Sequence, residues 1–137
     1  MKRLYLDTSA YLCLLLNQDG ADRLAKETIG AELLSSVLLE LEARRNLVRL
    51  ARSGRLQPDQ YKQVIDRIDH DMQLFTLRDL TLDLCRSNAL PAVTIPKSLD
   101  LAHLRTALWF HATEQIDRFV TMDASQEHAA KELGLPV

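Results

Sequence analysis

Short apolar segments alternate with longer amphipathic segments along the whole chain. Four of the short segments are bounded by turn-forming or capping residues, a pattern typical of buried strands. These strands are predicted at residues 2–6, 31–35, 71–76 and 118–122. Each strand is followed by a segment long enough for a helix, so we expect strands and helices to alternate.

The amphipathic segments predict helices at residues 10–17, 21–28, 37–51, 58–70, 80–88, 98–111 and 124–133. Their ends carry the expected signals. An Asp-Thr-Ser sequence beginning at Asp7 offers capping side chains, Pro58 stands at the first turn of the fourth helix, and Gly134 follows the last. Residues 91–96 are bounded by prolines and are predicted to form a loop.

Strands separated by helices predict an α/β layered fold with a mainly parallel sheet. In such sheets, ligands bind at the carboxyl ends of the strands. Asp7 directly follows the first predicted strand, and Asp123 follows the last. Both are therefore expected at the ligand-binding edge of the sheet.

Length and composition narrow the class of protein. A chain of 137 residues that is 47% hydrophobic can bury one core, so we expect a single domain over residues 1–137. A net charge of −2 argues against a surface coated for indiscriminate nucleic-acid binding, although a local basic stripe can still follow a phosphate backbone.

The longest apolar run, residues 10–16, is too short to cross a bilayer, and the N-terminus lacks a signal-peptide pattern. We expect a cytoplasmic protein with no membrane partner.

Two cysteines, Cys13 and Cys85, lie among leucines without the spacing of metal ligands. We predict that both are reduced, core-packed thiols.

Four acidic residues stand at or near predicted strand-to-helix transitions: Asp7, Glu42, Asp100 and Asp123. Carboxylates repel one another, so bringing them together is costly unless a divalent cation with oxygen ligands compensates. We therefore predict a site for a hard divalent cation. Thr8 or Ser9 could cap the first helix and leave the Asp7 carboxylate free to bind the cation.

Each of these acids also has an ordinary structural explanation. Asp7 and Asp123 can simply cap helices, and Asp100 in a first helical turn complements the helix dipole. His103 lies three residues beyond Asp100 on roughly the same helix face. Lone histidines on apolar helices are more often packed than catalytic, so we expect a supporting role at most for His103.

Two glutamates compete for one position on the third predicted helix. Successive helical residues turn by about 100°, so Glu40 and Glu42 point to nearly opposite sides and only one can face the cleft. Glu42 shares its side with Arg45 and Arg49, and its simplest role is a surface ion pair. With Arg52, these arginines form a basic stripe that could guide a phosphate backbone or bind an acidic segment of a partner.

Four motifs follow one another along the chain: LDTSA at 6–10, SSVLLELE at 35–42, SLDLAHL at 98–104 and VTMD at 120–123. Together they resemble the PIN-domain ribonucleases, specifically the toxins of the VapBC type. The resemblance covers essentially the whole chain and includes AAKELGL at 129–135.

The resemblance implies a PIN-like three-layer α/β/α sandwich with a mainly parallel sheet of four or five strands. The catalytic acids that hold one or two Mg²⁺ or Mn²⁺ ions would be Asp7, Glu42, Asp100 and Asp123. Thr8 and Thr121 would line the site, and the spacing from Ser36 favours Glu42 over Glu40.

The implied activity is that of a type II toxin that cleaves structured RNA endonucleolytically by a metal-activated water, leaving 5′-phosphate and 3′-hydroxyl ends. The implied partners are the RNA, a VapB-type antitoxin and a second copy of the chain, with Arg45 and Arg49 available to RNA or antitoxin. The alternative is a non-catalytic PIN-fold module that binds RNA or protein. A haloacid-type phosphatase is disfavoured because it needs a second aspartate where this chain has Ser9.

Overall fold

The computed structural model describes residues 1–86, 93–95 and 97–137. The strands are β1 (Arg3–Leu6), β2 (Glu32–Ser36), β3 (Phe75–Arg78) and β4 (Arg118–Val120). The helices within the described residues are α1 (Thr8–Leu15), α2 (Ala21–Thr28), α3 (Leu38–Arg52), α4 (Pro58–Met72), α5 (Leu82–Arg86), α6 (Ser98–Thr113) and α7 (Ala124–Glu132).

All four strands form one parallel sheet in the order β3-β2-β1-β4. Tyr5 of β1 lies opposite Leu34 of β2 on one side and Phe119 of β4 on the other. The predicted α/β class and the parallel sheet are therefore confirmed. Because the strands are parallel, their carboxyl ends meet at one edge, where β1 ends at Leu6 and β4 at Val120.

The two faces of the sheet bury different side chains, because successive residues of a strand point to opposite faces. Tyr5, Leu34 and Phe119 pack in one cluster with Leu104 of α6 and Ala130 of α7. The opposite face contributes to a second cluster, with α1 and α2, of Leu4, Leu6, Ala10, Leu24 and Val120. Helices thus cover both faces, which is consistent with a three-layer α/β/α sandwich.

A third cluster joins α1, α3 and α4 and contains Tyr11, Leu15, Leu39, Ala43, Leu47 and Ile68. Leu39, Ala43 and Leu47 recur every four residues and form the buried face of α3. Leu41 and Val48 on the same helix are exposed. This packing sets the rotation of α3 about its axis, and it therefore determines which α3 side chains can reach the edge of the sheet.

The third strand was predicted too early in the chain. Residues Asp71 and Met72 continue α4, and β3 begins only at Phe75. Asp71 accepts a hydrogen bond from the Tyr11 hydroxyl at 2.8 Å, and Met72 packs against the cluster of α1, α3 and α4. These tertiary contacts extend the helix beyond the point at which the local apolar pattern predicted a strand.

Smaller differences concern ends and burial. The first helix begins at Thr8 rather than at residue 10. Cys13 is buried as predicted, but Cys85 is exposed, because on the short α5 the buried position belongs to Leu84. Residues 87 and 88 of the predicted 80–88 helix, and residues 91, 92 and 96 of the predicted loop, lie outside the described residues. No helix in the described ranges has the length and apolar character needed to traverse a lipid bilayer.

The packing of α3 predicts a sharp contrast between two identical substitutions. Leu47 is fully buried, so Leu47→Ala should leave a cavity and lower the free energy of unfolding by about 2–5 kcal/mol. Leu41 is 66% exposed on the same helix, so Leu41→Ala should change it by less than about 0.5 kcal/mol. Urea denaturation measures both. Equal losses would mean that α3 does not pack through the face described.

Candidate active site

Asp7 stands at the carboxyl end of the central strand β1 and caps helix α1. Its Oδ1 accepts hydrogen bonds from the Ala10 backbone N–H at 3.1 Å and from the Ser9 hydroxyl at 2.7 Å. The prediction that Thr8 or Ser9 caps this helix and frees Asp7 is therefore wrong. An aspartate at the N-cap reaches the third backbone N–H of the helix directly, so it takes the cap itself. Its side chain is nevertheless at the ligand-binding edge, and the residue is only 3% exposed.

Hydroxyl groups connect Asp7 to the end of β4. The Ser9 Oγ lies 3.2 Å from Thr121 Oγ1 and accepts a hydrogen bond from the Met122 N–H at 2.9 Å. Thr121 Oγ1 in turn accepts from the Asp123 N–H at 3.1 Å. Thr121 therefore lies between the two aspartates, where the resemblance expected it.

Asp123 caps α7 as Asp7 caps α1. Its Oδ1 accepts from the backbone N–H groups of Ser125 at 2.8 Å and Gln126 at 3.3 Å. Both capping aspartates thus use Oδ1 for the helix, and Oδ2 of each takes no part in the cap. The positive ends of the two helix dipoles also stabilise these carboxylates.

Asp100 lies in the first turn of α6, and a glutamine ties that turn to the start of α7. The Gln126 side chain is fully buried and donates from Nε2 to the Asp100 backbone oxygen at 2.9 Å. The sequence analysis missed Gln126. A signal existed, because glutamine three residues after a capping aspartate occupies a position that often serves helix capping; here its side chain reaches across to α6 instead.

The charges of the three aspartates interact at this edge. The pKa of Asp100 is raised, first by burial and then by the negative charges of Asp123 and Asp7. The pKa of Asp7 is also raised by burial, although hydrogen bonds from Thr121 and Ser9 and the proximity of His103 oppose the shift. Segments far apart in sequence are thus brought close enough for their charges to repel.

Glu42 approaches the same edge from α3. Its Oε1 accepts hydrogen bonds from the Thr8 hydroxyl at 2.7 Å and from His103 Nε2 at 2.9 Å. Burial alone would raise the pKa of Glu42, but hydrogen bonds from His103 and Thr8 and the charges of His103 and Arg45 outweigh it and lower the pKa. Glu40 instead pairs with Arg44 at 3.0 Å. Of the two glutamates, Glu42 is therefore the one beside Thr8 and the acidic edge.

His103 is more engaged than the sequence indicated. It is buried on α6, and its Nδ1 lies 2.8 Å from the Tyr5 hydroxyl while its Nε2 contacts Glu42. Tyr5 was not among the predicted site residues. Nothing in the spacing of Tyr5 and His103, which are 98 positions apart, could have paired them without the fold.

The basic stripe lies on the exposed side of α3. Arg45, Arg49 and Arg52 are all exposed. Arg49 donates a hydrogen bond to Asn46 Oδ1 at 2.9 Å. The positive charge of Arg45 helps to lower the pKa of Glu42. The stripe therefore begins beside the acidic edge and runs away from it along the helix.

The carboxylates at this edge can be compared with the ligands that the predicted cation requires. Aspartate and glutamate oxygens are the hard ligands that Mg²⁺ and Mn²⁺ take, and the mutual repulsion at Asp100 is the condition that such a cation relieves. Within residues 1–86, 93–95 and 97–137, however, no group of three or more His, Cys, Asp or Glu side chains lies in an arrangement that could hold a metal ion. Carboxylate oxygens are the type of ligand that a hard divalent ion binds. One oxygen of Asp7 and one of Asp123, however, already accept the capping hydrogen bonds.

Comparisons with known proteins give no family assignment. No protein-family model and no curated protein matches the chain. The resemblance to PIN-domain ribonucleases therefore remains a prediction from four motifs and their order.

Substitutions at Asp7 separate its charge from its capping role. Because the pKa of Asp7 is raised in the folded state, folding favours the neutral carboxyl. The stabilising contribution of that form is present below about pH 4 and is lost as pH rises through the raised pKa. Asp7→Asn keeps the capping oxygen without the charge, so without added metal at pH 7 it should be more stable than the wild type.

The advantage of Asp7→Asn should shrink below about pH 4, where wild-type Asp7 is protonated. Asp7→Ala, which also removes the cap, should be less stable than Asp7→Asn by about 1 kcal/mol at every pH tested. Urea denaturation at pH 7 and pH 3.5 measures these differences. A wild type more stable than Asp7→Asn at pH 7 would contradict the raised pKa.

Proposed function

We propose that this protein is a metal-dependent endoribonuclease of the PIN type that acts as the toxin of a type II toxin–antitoxin system. One observation carries the proposal: Asp7, Asp100 and Asp123 stand at the N-terminal ends of α1, α6 and α7, beside the carboxyl edge of a parallel sheet. Burial, and then the charges of Asp123 and Asp7, raise the pKa of Asp100. In the part of the chain that the structure describes, none of the three forms an ion pair with a lysine or arginine. A cation from solution is the natural compensator.

In this proposal, Asp7, Asp100 and Asp123, with Glu42, hold one or two Mg²⁺ or Mn²⁺ ions, directly or through water. A divalent ion bound there supplies a water of lowered pKa and stabilises negative charge on the phosphate oxygens. The protein's part is to bind and orient. The helix caps and the Ser9–Thr121 hydroxyl contact hold the aspartates in place, and Thr8 orients Glu42. No serine, cysteine or histidine nucleophile is required, and the products carry 5′-phosphate and 3′-hydroxyl ends.

The same features support the proposed partners. An edge with three repelling carboxylates is a suitable receptor for an arginine of a VapB-type antitoxin, since charged pairs with bidentate geometry are strong. Exposed Leu41 and Leu74 on the surface offer apolar area to a second copy in a homodimer. The proposed location is the cytoplasm, where toxin, antitoxin and RNA meet.

The arginines of α3 support RNA as the substrate. An acidic edge alone repels a phosphate backbone, so a substrate needs a neighbouring positive surface to approach it. The exposed stripe of Arg45, Arg49 and Arg52 begins beside Glu42 and supplies this surface.

A second candidate is a non-catalytic module of the same fold that binds RNA or protein. The observation in its favour is that Asp7 and Asp123 are satisfied as helix caps and that the described side chains hold no ready-made group of three metal ligands. The cleavage experiment below decides between the two.

Cleavage should require the acidic edge. The purified protein, freed of any bound antitoxin, is incubated with structured RNAs and Mg²⁺ or Mn²⁺, and products are resolved on sequencing gels. Asp7→Asn and Asp100→Asn should lose cleavage by at least about a hundredfold, because each removes a charge that binds the cation. Asp59→Asn is the matched control for Asp100→Asn, since Asp59 is an exposed aspartate in the first turn of α4. Equal cleavage by all four proteins would exclude the proposed site.

The arginine stripe predicts a change in salt dependence. Arg45→Ala and Arg49→Ala should each weaken RNA binding and reduce the slope of log affinity against log salt by about 1, because each removes one phosphate contact. Arg23→Ala, at an exposed arginine of α2, serves as the control. Binding is followed by fluorescence anisotropy of a labelled RNA in the catalytically inactive Asp100→Asn background. If Arg23→Ala and the stripe variants have the same slope, the stripe is not the RNA-binding surface.

A further inference from the structure

A buried relay of hydrogen bonds runs from the middle of the sheet to the acidic edge. It begins at the Tyr5 hydroxyl, passes through the His103 ring and ends at Glu42, which also accepts from Thr8. Tyr5 and His103 are 0% and 1% exposed, so water does not compete for these bonds. Neither residue is used by the proposed mechanism.

The chemistry of the partners assigns the proton positions. Glu42 is a carboxylate, which only accepts, so the His103 Nε2 at 2.9 Å from Oε1 must be the donor. Nδ1 lies 2.8 Å from the Tyr5 oxygen, and it accepts from the phenol hydroxyl when Nε2 carries the only ring proton. With both nitrogens engaged, the ring cannot turn without losing two hydrogen bonds.

The bonds at Glu42 are unequal between its two oxygens. Oε1 receives both the Thr8 hydroxyl and the His103 Nε2, whereas no group within the described residues hydrogen-bonds Oε2. A glutamate at the end of a long side chain would otherwise occupy several rotamers, and ordering it costs conformational entropy. Two donors on Oε1 remove that freedom and leave Oε2 as the oxygen open to a ligand.

We propose that His103 is a positioning residue which, oriented by Tyr5, holds Glu42 in one rotamer so that its Oε2 is ready to bind the divalent cation. The inference rests on the proposed function, because it assumes that a cation binds at the acidic edge. Partners that orient metal ligands in this way commonly change metal affinity by ten- to a hundredfold when removed. A histidine that serves only as packing would leave metal affinity unchanged.

The test uses the full chain and Mn²⁺ alone, with isothermal titration calorimetry for affinity. His103→Leu should weaken Mn²⁺ binding by about tenfold or more. His103→Gln should recover most of the loss, since its amide N–H reaches about as far as Nε2 and can donate to Glu42. Tyr5→Phe removes only the hydroxyl that orients the His103 ring, so it should weaken Mn²⁺ binding by a smaller factor. This variant also provides a test if His103→Leu does not fold.

His111→Leu is the matched control. His111 lies eight residues further along α6, where its Nδ1 accepts from the Ile116 N–H at 3.1 Å, so its loss perturbs the same helix without touching Glu42. Mn²⁺ affinity should be unchanged in this variant. A metal-free readout accompanies the titration: ¹⁵N NMR of the histidine rings should show His103 with its proton on Nε2.

The outcomes separate failure of the positioning role from failure of the proposed function. If Asp7→Asn abolishes Mn²⁺ binding while folded His103→Leu and Tyr5→Phe bind like the wild type, the site exists and the positioning role is overturned. A His103 ring with its proton on Nδ1 and none on Nε2 overturns it as well, whatever the metal does. If the wild type binds no Mn²⁺ although NMR shows the proton on Nε2, the proposed function fails and takes the positioning role with it.

Discussion

Repulsion among the carboxylates at the carboxyl edge of the sheet is the constraint on which the site depends. Asp7, Asp100 and Asp123 come from segments that are far apart along the chain, and burial together with the charges of Asp123 and Asp7 raises the pKa of Asp100. Close approach of like charges opposes folding. It persists because the rest of the fold holds the backbone at these positions regardless of the charges.

The fold supplies this support in two ways. Helix N-termini receive Asp7 and Asp123, so the positive ends of α1 and α7 offset part of the negative charge. Side-chain hydrogen-bond donors add to this: Ser9 and Thr121 beside Asp7, and His103 beside Glu42. The capped aspartates and the hydrogen-bonded glutamate are thus partly stabilised within the protein itself.

The architecture could be predicted because helices and strands leave local patterns of apolar and polar residues in the sequence. Helix α2 was predicted with the bounds it has, and the turn of about 100° per residue correctly put Glu40 and Glu42 on different sides of α3. Helical periodicity and strand length depend on neighbouring residues, which a sequence displays directly.

Features that depend on distant contacts were missed. The extension of α4 to Met72 follows from a hydrogen bond to Tyr11, 60 positions away. Gln126 and Tyr5 joined the site only through packing. The cap of α1 by Asp7 is local, and it was missed because three neighbouring side chains could each have formed it. Each case involves a side chain with several possible partners, and only the assembled fold selects among them.

The most direct test of the account is anomalous diffraction from crystals soaked in Mn²⁺. The account predicts a manganese peak at the edge formed by Asp7, Asp100 and Asp123, with directly bound carboxylate oxygens at about 2.1 Å. Crystals with no peak at that edge, or with manganese only at other carboxylates of the surface, would contradict it.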